Sequence, residues 1–197
     1  MNELEKLTEL FTQFPGIGPR QARRFVFFLL RQNAGYRSTL VHAISDVAEH
    51  AQQCTHCLRY ARLHAQKPLC NLCADSSRTE EELMLVEKDT DIDQMEKSGA
   101  YSGKYFVLGG TLSLTGKKGF IREQELVKRL EGASELSEII LALSATTDGE
   151  YTSDYLTTKL SEGKDIKIST LGRGLSTGSE LEYADATTLK QALKNRV

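Results

Sequence analysis

Two pairs of cysteines, Cys54-Thr55-His56-Cys57 and Cys70-Asn71-Leu72-Cys73, hold all four thiols of this 197-residue chain. A Cys-x-x-Cys pair presents two thiolates to one ion, and two such pairs complete a tetrahedral Zn²⁺ shell. Four sulfur ligands leave no position open for water, so the expected ion is structural, one per chain, and not catalytic. The other chemistry open to four cysteines is a pair of disulfides, which needs an oxidising compartment. The N-terminus, MNELEKLTELFTQF, has neither the apolar segment nor the small-residue cleavage site of a secretory leader. Zinc in a cytoplasmic protein is therefore the expectation. His56 and His64 lie inside the cluster but are bystanders beside four thiolates.

A second candidate set is acidic. Glu87, and Asp148 with Glu150, each follow an apolar stretch, where the carboxyl end of a strand would gather functional groups. Acids at the start of a helix near Asp148 account for part of this pattern by themselves. The third set is basic: Arg20, Arg23 and Arg24 follow Phe14-Pro15-Gly16-Ile17-Gly18-Pro19. Gly16 and Gly18 let the backbone approach a phosphate, and Pro19 suits the first turn of a helix whose free N–H groups face the same anion. The chemistry expected there is nucleic-acid binding through backbone phosphates, indifferent to sequence.

The bulk composition constrains these readings. With 25 basic and 27 acidic residues the formal net charge is −2, so contact with nucleic acid must come from a local patch. Residues 1–37 supply one, with six basic side chains against three glutamates, whereas residues 75–96 carry nine acids against Arg78 and Lys88. Such polarisation points to different partners for different parts of the chain. The apolar fraction of 40% and charged fraction of 26% are those of a soluble globular protein of one or two small domains. The longest apolar run, Phe25–Leu30, is far short of the ~20 residues that span a bilayer.

The elements that must position these groups can be read from periodicity. Leu4, Leu7, Phe11 and Phe14 predict a helix over about Glu3–Gln13, and a second follows from Pro19 to about Arg31. Phe25–Leu30 is apolar on every side of that second helix, which implies cover from another subunit. A third helix is expected over about Ser38–Gln53, with Leu40, Val41, Ile44, Val47, Ala48 and Ala51 on one face. Beyond the cysteines, strands are predicted at Leu83–Val86, Tyr105–Leu108, Ile139–Leu143 and Ile166–Thr170. Helices are expected near Asp91–Lys97, Arg122–Leu130, Tyr151–Leu160 and Ala186–Asn195. Alternation of this kind builds a mostly parallel sheet with helices on its faces, and functional groups gather at the carboxyl ends of its strands. Two nucleotide motifs fail. Gly110-x5-Gly116-Lys117-Lys118 is one residue too long for a P-loop and lacks its Ser/Thr, so Lys117 and Lys118 read as loop charge. Gly172-Arg173-Gly174-Leu175-Ser176-Thr177-Gly178 is likewise too long for a dinucleotide turn.

Three resemblances follow from these residues. FPGIGPRQARR is similar to a helix-hairpin-helix motif. Glu87 with Ser144-Ala145-Thr146-Thr147-Asp148-Gly149-Glu150 resembles a Toprim domain, the metal-binding unit of topoisomerases and DnaG-type primases. Aligned on Asp148-Gly149-Glu150, Ser144 and Thr146 stand where Toprim enzymes carry two aspartates. Hydroxyls cannot replace carboxylates around a hard cation, and two-metal phosphodiester chemistry needs that charge. The order helix-hairpin-helix, four-cysteine zinc finger, degenerate Toprim, then Leu181-Glu182-Tyr183-Ala184-Asp185 resembles, over nearly the whole chain, the RecR family of bacterial recombination mediators.

That resemblance implies an α+β, multi-module fold with segments 1–53, 54–77, 78–175 and 176–197, the last with a Walker-B-like stretch and a helix. It implies a DNA-repair protein without catalytic residues that acts with RecO, and in some systems RecF, to load RecA onto gapped DNA coated by single-strand-binding protein. It implies a tetrameric ring around DNA in the bacterial cytoplasm, associated with the nucleoid during repair. Gly16, Gly18, Arg20 and Arg24 carry over as DNA contacts, Cys54, Cys57, Cys70 and Cys73 as zinc ligands, and Glu87, Asp148 and Glu150 as the Toprim acids, left to hold one Mg²⁺ weakly or to dock a basic partner. Asp148 replaces a usual glutamate, and Ser176 a usual proline. An active Toprim nuclease or primase, and a plain zinc-containing DNA-binding adaptor, are the competing readings.

Overall fold

The computed structural model describes residues 2–64, 67–115, 119–161, 166–175, 177–178 and 180–196. Gly116, Lys117, Lys118 and Ser176, named in the motifs above, lie outside the described residues. The chain divides into two compact units, Met1–Ala51 and Gln52–Val197.

The first unit is helical: α1 (Glu3–Thr12), α2 (Pro19–Arg31) and α3 (Ala34–His50). A reciprocal cap starts α1, where Asn2 Oδ1 accepts from the Glu5 N–H and Glu5 Oε2 from the Asn2 N–H, both at 2.9 Å. Phe11 joins α1 to α2 by an edge-on contact with Phe25, with ring centroids 5.8 Å apart. The Phe25–Leu30 run, expected to be apolar all round, divides by face. Val26 is buried and Phe25 and Leu29 half-buried, while Phe27, Phe28 and Leu30 are exposed. α3 starts four residues earlier than its apolar spacing suggested, because Asn33 caps it by accepting from the Tyr36 N–H at 2.8 Å. Its stripe of Val41, Ile44 and Val47 is exposed.

The second unit is built on four parallel strands, β3 (Glu82–Val86), β4 (Lys104–Val107), β5 (Glu138–Ala142) and β6 (Lys167–Thr170), in the order β4-β3-β5-β6. Ahead of them lie two short strands, β1 (Ala51–Gln53) and β2 (Tyr60–Arg62), and a one-turn helix, α4 (Asn71–Ala74). The sheet is covered by α5 (Asp89–Ser98), α6 (Glu123–Glu131) and α7 (Thr147–Ser161); a 3-10 turn at Leu181–Tyr183 and α8 (Ala186–Lys194) follow. Strand side chains alternate between faces, and here the faces serve different cores. Leu83, Leu85, Phe106, Ile139 and Leu141 pack with Leu126 and Leu130 of α6 and Leu156 of α7. Met84, Val86, Tyr105 and Val107 point the other way, against Ile92 of α5 and the buried thiols Cys54, Cys57 and Cys70. The cysteine segment thus forms part of one sheet face.

Candidate metal centre, Toprim acids and arginine face

The four cysteine sulfurs lie within 4.8 Å of one another, the one group of three or more His, Cys, Asp or Glu side chains so placed among the described residues. Cys57 Sγ and Cys70 Sγ are 3.6 Å apart, and all four thiols are free. Zinc bound at about 2.3 Å in a tetrahedron sets its sulfurs about 3.8 Å apart, so the cluster fits such an ion. The thiols perturb one another strongly. Hydrogen bonds from Cys57, then Cys70 and Cys73, pull Cys54 far below the usual thiol range. The bond to Cys54 raises Cys70, but those from Cys57 and Cys73 outweigh it and bring it down to about 6. Bonds to Cys54 and Cys70 push Cys57 up, and bonds to all three others push Cys73 up. Thiols this close cannot all ionise without a cation among them. His56 and His64 stay outside the cluster, as expected.

The knuckles are locked to the sheet by polar contacts. The Val107 N–H of edge strand β4 donates to the Cys57 carbonyl at 2.8 Å. Leu58 adopts a left-handed φ of 59°, which turns its carbonyl toward Arg122 Nη1 at 3.2 Å. Lys104, only 4% exposed, reaches from β4 to the second knuckle. Its Nζ donates to the carbonyls of Asp75 at 2.8 Å, Cys73 at 3.2 Å and Leu72 at 3.5 Å. Sequence reasoning missed Lys104, since nothing in Gly-Lys-Tyr-Phe-Val marks a buried lysine.

The predicted acids sit at the carboxyl ends of β3 and β5, but each has a partner within the chain and they do not form a shared metal-ligand group. Glu87 pairs with Lys88 Nζ at 3.0 Å and accepts from Ser144 Oγ at 2.8 Å. Asp148 Oδ1 accepts from the Leu114 N–H at 3.1 Å, and Glu150 pairs with Arg173. The hydroxyls at the two aspartate positions have other tasks. Ser144 Oγ donates a hydrogen bond to Glu87 where an aspartate would repel it, and Thr146 Oγ1 caps α7 by accepting from the Gly149 N–H at 3.1 Å. Gly149 must be glycine, because a Cβ there would stand 2.0 Å from the Ser144 carbonyl oxygen. It lets α7 begin against the β5 loop and so places Asp148 and Glu150.

In the first unit, Gly16 takes a φ of 76°, closing the turn before α2. Gly18 is the N-cap of α2 and offers no side-chain cap, which leaves the first-turn N–H groups to an outside acceptor. Arg20, Arg23 and Arg24 are exposed along the helix beyond. With Arg31, Phe27 and Phe28 they line an open groove of about 550 Å³. Sequence analysis placed the two phenylalanines elsewhere. Their spacing from Arg20, Arg23 and Arg24, three or four residues per step, is the signal that puts them on the arginine face.

Comparison with known proteins agrees with this order of parts. Family models match as a RecR helix-hairpin-helix over residues 4–48, a Toprim domain over 81–172 and a RecR C-terminal region over 174–197. The chain is 40% identical over 197 residues to the recombination protein RecR of Ruegeria sp. strain TM1040, covering 99% of this chain and 96% of that one. It is 38% identical over 196 residues to RecR of Parvibaculum lavamentivorans, covering 98% and 96%. With RecR of Bdellovibrio bacteriovorus it shares 35% over 204 residues, covering 100% and 98%. The chain belongs to the RecR family of recombination proteins.

Proposed function

We propose that this protein is a non-catalytic, DNA-binding mediator of recombinational repair. It acts with RecO, and in some systems RecF, to load RecA onto gapped or single-stranded DNA coated by single-strand-binding protein. Membership of the RecR family supports the recombination role. The observation that carries the DNA binding is the open N-terminus of α2, where Gly16 and Gly18 precede a helix bearing exposed Arg20, Arg23 and Arg24. That arrangement binds phosphates without reading bases. Zinc is the ion assigned to Cys54, Cys57, Cys70 and Cys73, where it is structural and holds the knuckles in the fold.

The absence of nuclease or primase activity is part of the same reading. Ser144 and Thr146 are committed to a hydrogen bond and a helix cap, so Glu87, Asp148 and Glu150 lack the charge that two metal ions need. Glu150, half exposed, remains available to a basic partner such as RecO. Self-assembly into a tetrameric ring is supported by the exposed apolar stripe of α3 and by Leu30. The reading places the protein in the cytoplasm, at the nucleoid during repair.

The test is a RecA-loading assay on gapped DNA coated by single-strand-binding protein, with RecO present. Loading should depend on this protein and fail with Arg20→Ala/Arg24→Ala. The same variant should flatten the plot of log K against log salt by about 0.7–0.9 for each phosphate it no longer neutralises. Cleavage of DNA by the purified protein with Mg²⁺, abolished by Glu87→Gln, would overturn the reading.

A further inference from the structure

Four arginines and two exposed phenylalanines share one groove on α2, and single-stranded nucleic acid has the chemistry to use both. We propose that this groove takes single-stranded nucleic acid, with bases stacked on Phe27 and Phe28 while Arg20, Arg23, Arg24 and Arg31 hold the flanking phosphates. The inference rests on the reading of α2 as a DNA-backbone contact and names the form of nucleic acid it prefers.

The rings are accessible: Phe27 is 43% exposed and Phe28 50% exposed. They are also held in place. The Arg23 guanidinium lies 5.7 Å from the Phe27 ring centroid, and Phe28 meets Tyr36 of α3 edge-on at 5.9 Å and 87°. A stacking platform fixed beforehand loses little side-chain freedom when a base arrives. No acidic residue is among those that line the groove.

Three occupants can be compared on that chemistry. A duplex offers phosphates but hides the faces of its bases, leaving both rings uncovered. A second copy of this chain, pairing the groove with itself about a two-fold axis, would set four arginines against four arginines. A single strand satisfies arginines and rings together, as stacking platforms in basic channels do. The helix period makes this possible: residues 20, 23, 24, 27, 28 and 31 fall on one face, so the two rings lie between three arginines on one side and a fourth on the other.

The experiment compares a single-stranded oligonucleotide with a duplex of the same length, binding the full chain, measured by fluorescence anisotropy over a range of salt. The variant is Phe27→Leu/Phe28→Leu, which keeps the apolar bulk, the helix propensity and every charge. Single-strand affinity should fall about tenfold or more, while duplex affinity and the salt slope stay as they were. A base analogue whose emission is quenched on stacking should be quenched by the wild-type protein and not by the variant. Unchanged single-strand affinity, with Arg20→Ala/Arg24→Ala still flattening the salt slope, would overturn the stacking and leave the backbone contact standing. Equal losses for both DNA forms, together with a smaller mass by light scattering, would show that a second copy covers the rings, and would also overturn it. A salt slope indifferent to Arg20→Ala/Arg24→Ala would remove the backbone reading and this inference with it.

Discussion

Replacing Lys104 by methionine keeps most of the stem that fills its channel and removes the ammonium that binds the second knuckle. Two of its carbonyl contacts, to Asp75 at 2.8 Å and Cys73 at 3.2 Å, are well within hydrogen-bond range, and the third, to Leu72 at 3.5 Å, is marginal. The pair with Glu80 at 3.4 Å adds little, since Glu80's side chain is 49% exposed. A hydrogen bond from a charged donor contributes about 1.5–3 kcal/mol, so two good ones give an expected loss of about 3–6 kcal/mol. For a chain of this size each kcal/mol moves the melting midpoint by about 2–4 °C, giving a fall of about 6–24 °C. Because the acceptors flank Cys73, the same change should speed metal loss to a chelator. Thermal unfolding followed by circular dichroism, and zinc release followed with a colorimetric chelator, check the two effects separately. A variant within about 0.5 kcal/mol of the parent, releasing zinc at the parent's rate, would refute the claim that Lys104 ties knuckle to sheet.

Cys54→Ala or Cys70→Ala should leave the second unit unfolded, because a structural zinc site contributes about 10–16 kcal/mol and the whole fold about 5–15. Metal analysis of the parent should give one zinc per chain. Ser144→Asp should destabilise by about 1–3 kcal/mol in chelator, through repulsion of Glu87 and loss of its hydrogen bond, and recover in part with Mg²⁺; equal melting with and without Mg²⁺ would disprove that account. Glu96→Gln tests the half-buried network around Arg78. Burial alone would raise the Glu96 carboxyl, but bonds from Arg78 and Tyr105 outweigh it and hold it below the ordinary carboxylate value. Its contribution is therefore complete above the unfolded-state pKa and lost as pH falls through the lower folded value. The glutamine variant should show a shallower acid limb in urea midpoints plotted against pH.

Much of this fold was legible because buried parallel strands are continuous apolar runs. Leu83–Val86 and Tyr105–Leu108 were each placed within a residue of the observed strands. The short pieces around the cysteines were not legible. β1, β2 and α4 follow the geometry of the sulfur cluster, not a local apolar period. The start of α3 was missed because Asn33 caps ahead of Gly35, a residue that argues against helix. At the site, the cysteines could be read from spacing alone. The neutral pairing of Ser144 with Glu87 joins residues 57 apart in the chain, so it needed the sheet register to appear. Arg173 opposite Glu150 was hidden for the same reason.

The bond from the Val107 N–H to the Cys57 carbonyl has a consequence for handling the protein. β4 is the outermost strand of its sheet, and an outermost strand with free amides invites another chain to add to it. Here the first knuckle occupies that position, and Arg122 Nη1 covers the Val107 carbonyl at 3.1 Å. An ion gathering the four cysteines would thus also guard a strand against strangers. Stripped of metal, the protein should do more than lose shape: it should become adhesive along β4, forming strand-paired aggregates whose onset follows chelator dose and precedes the loss of helical signal.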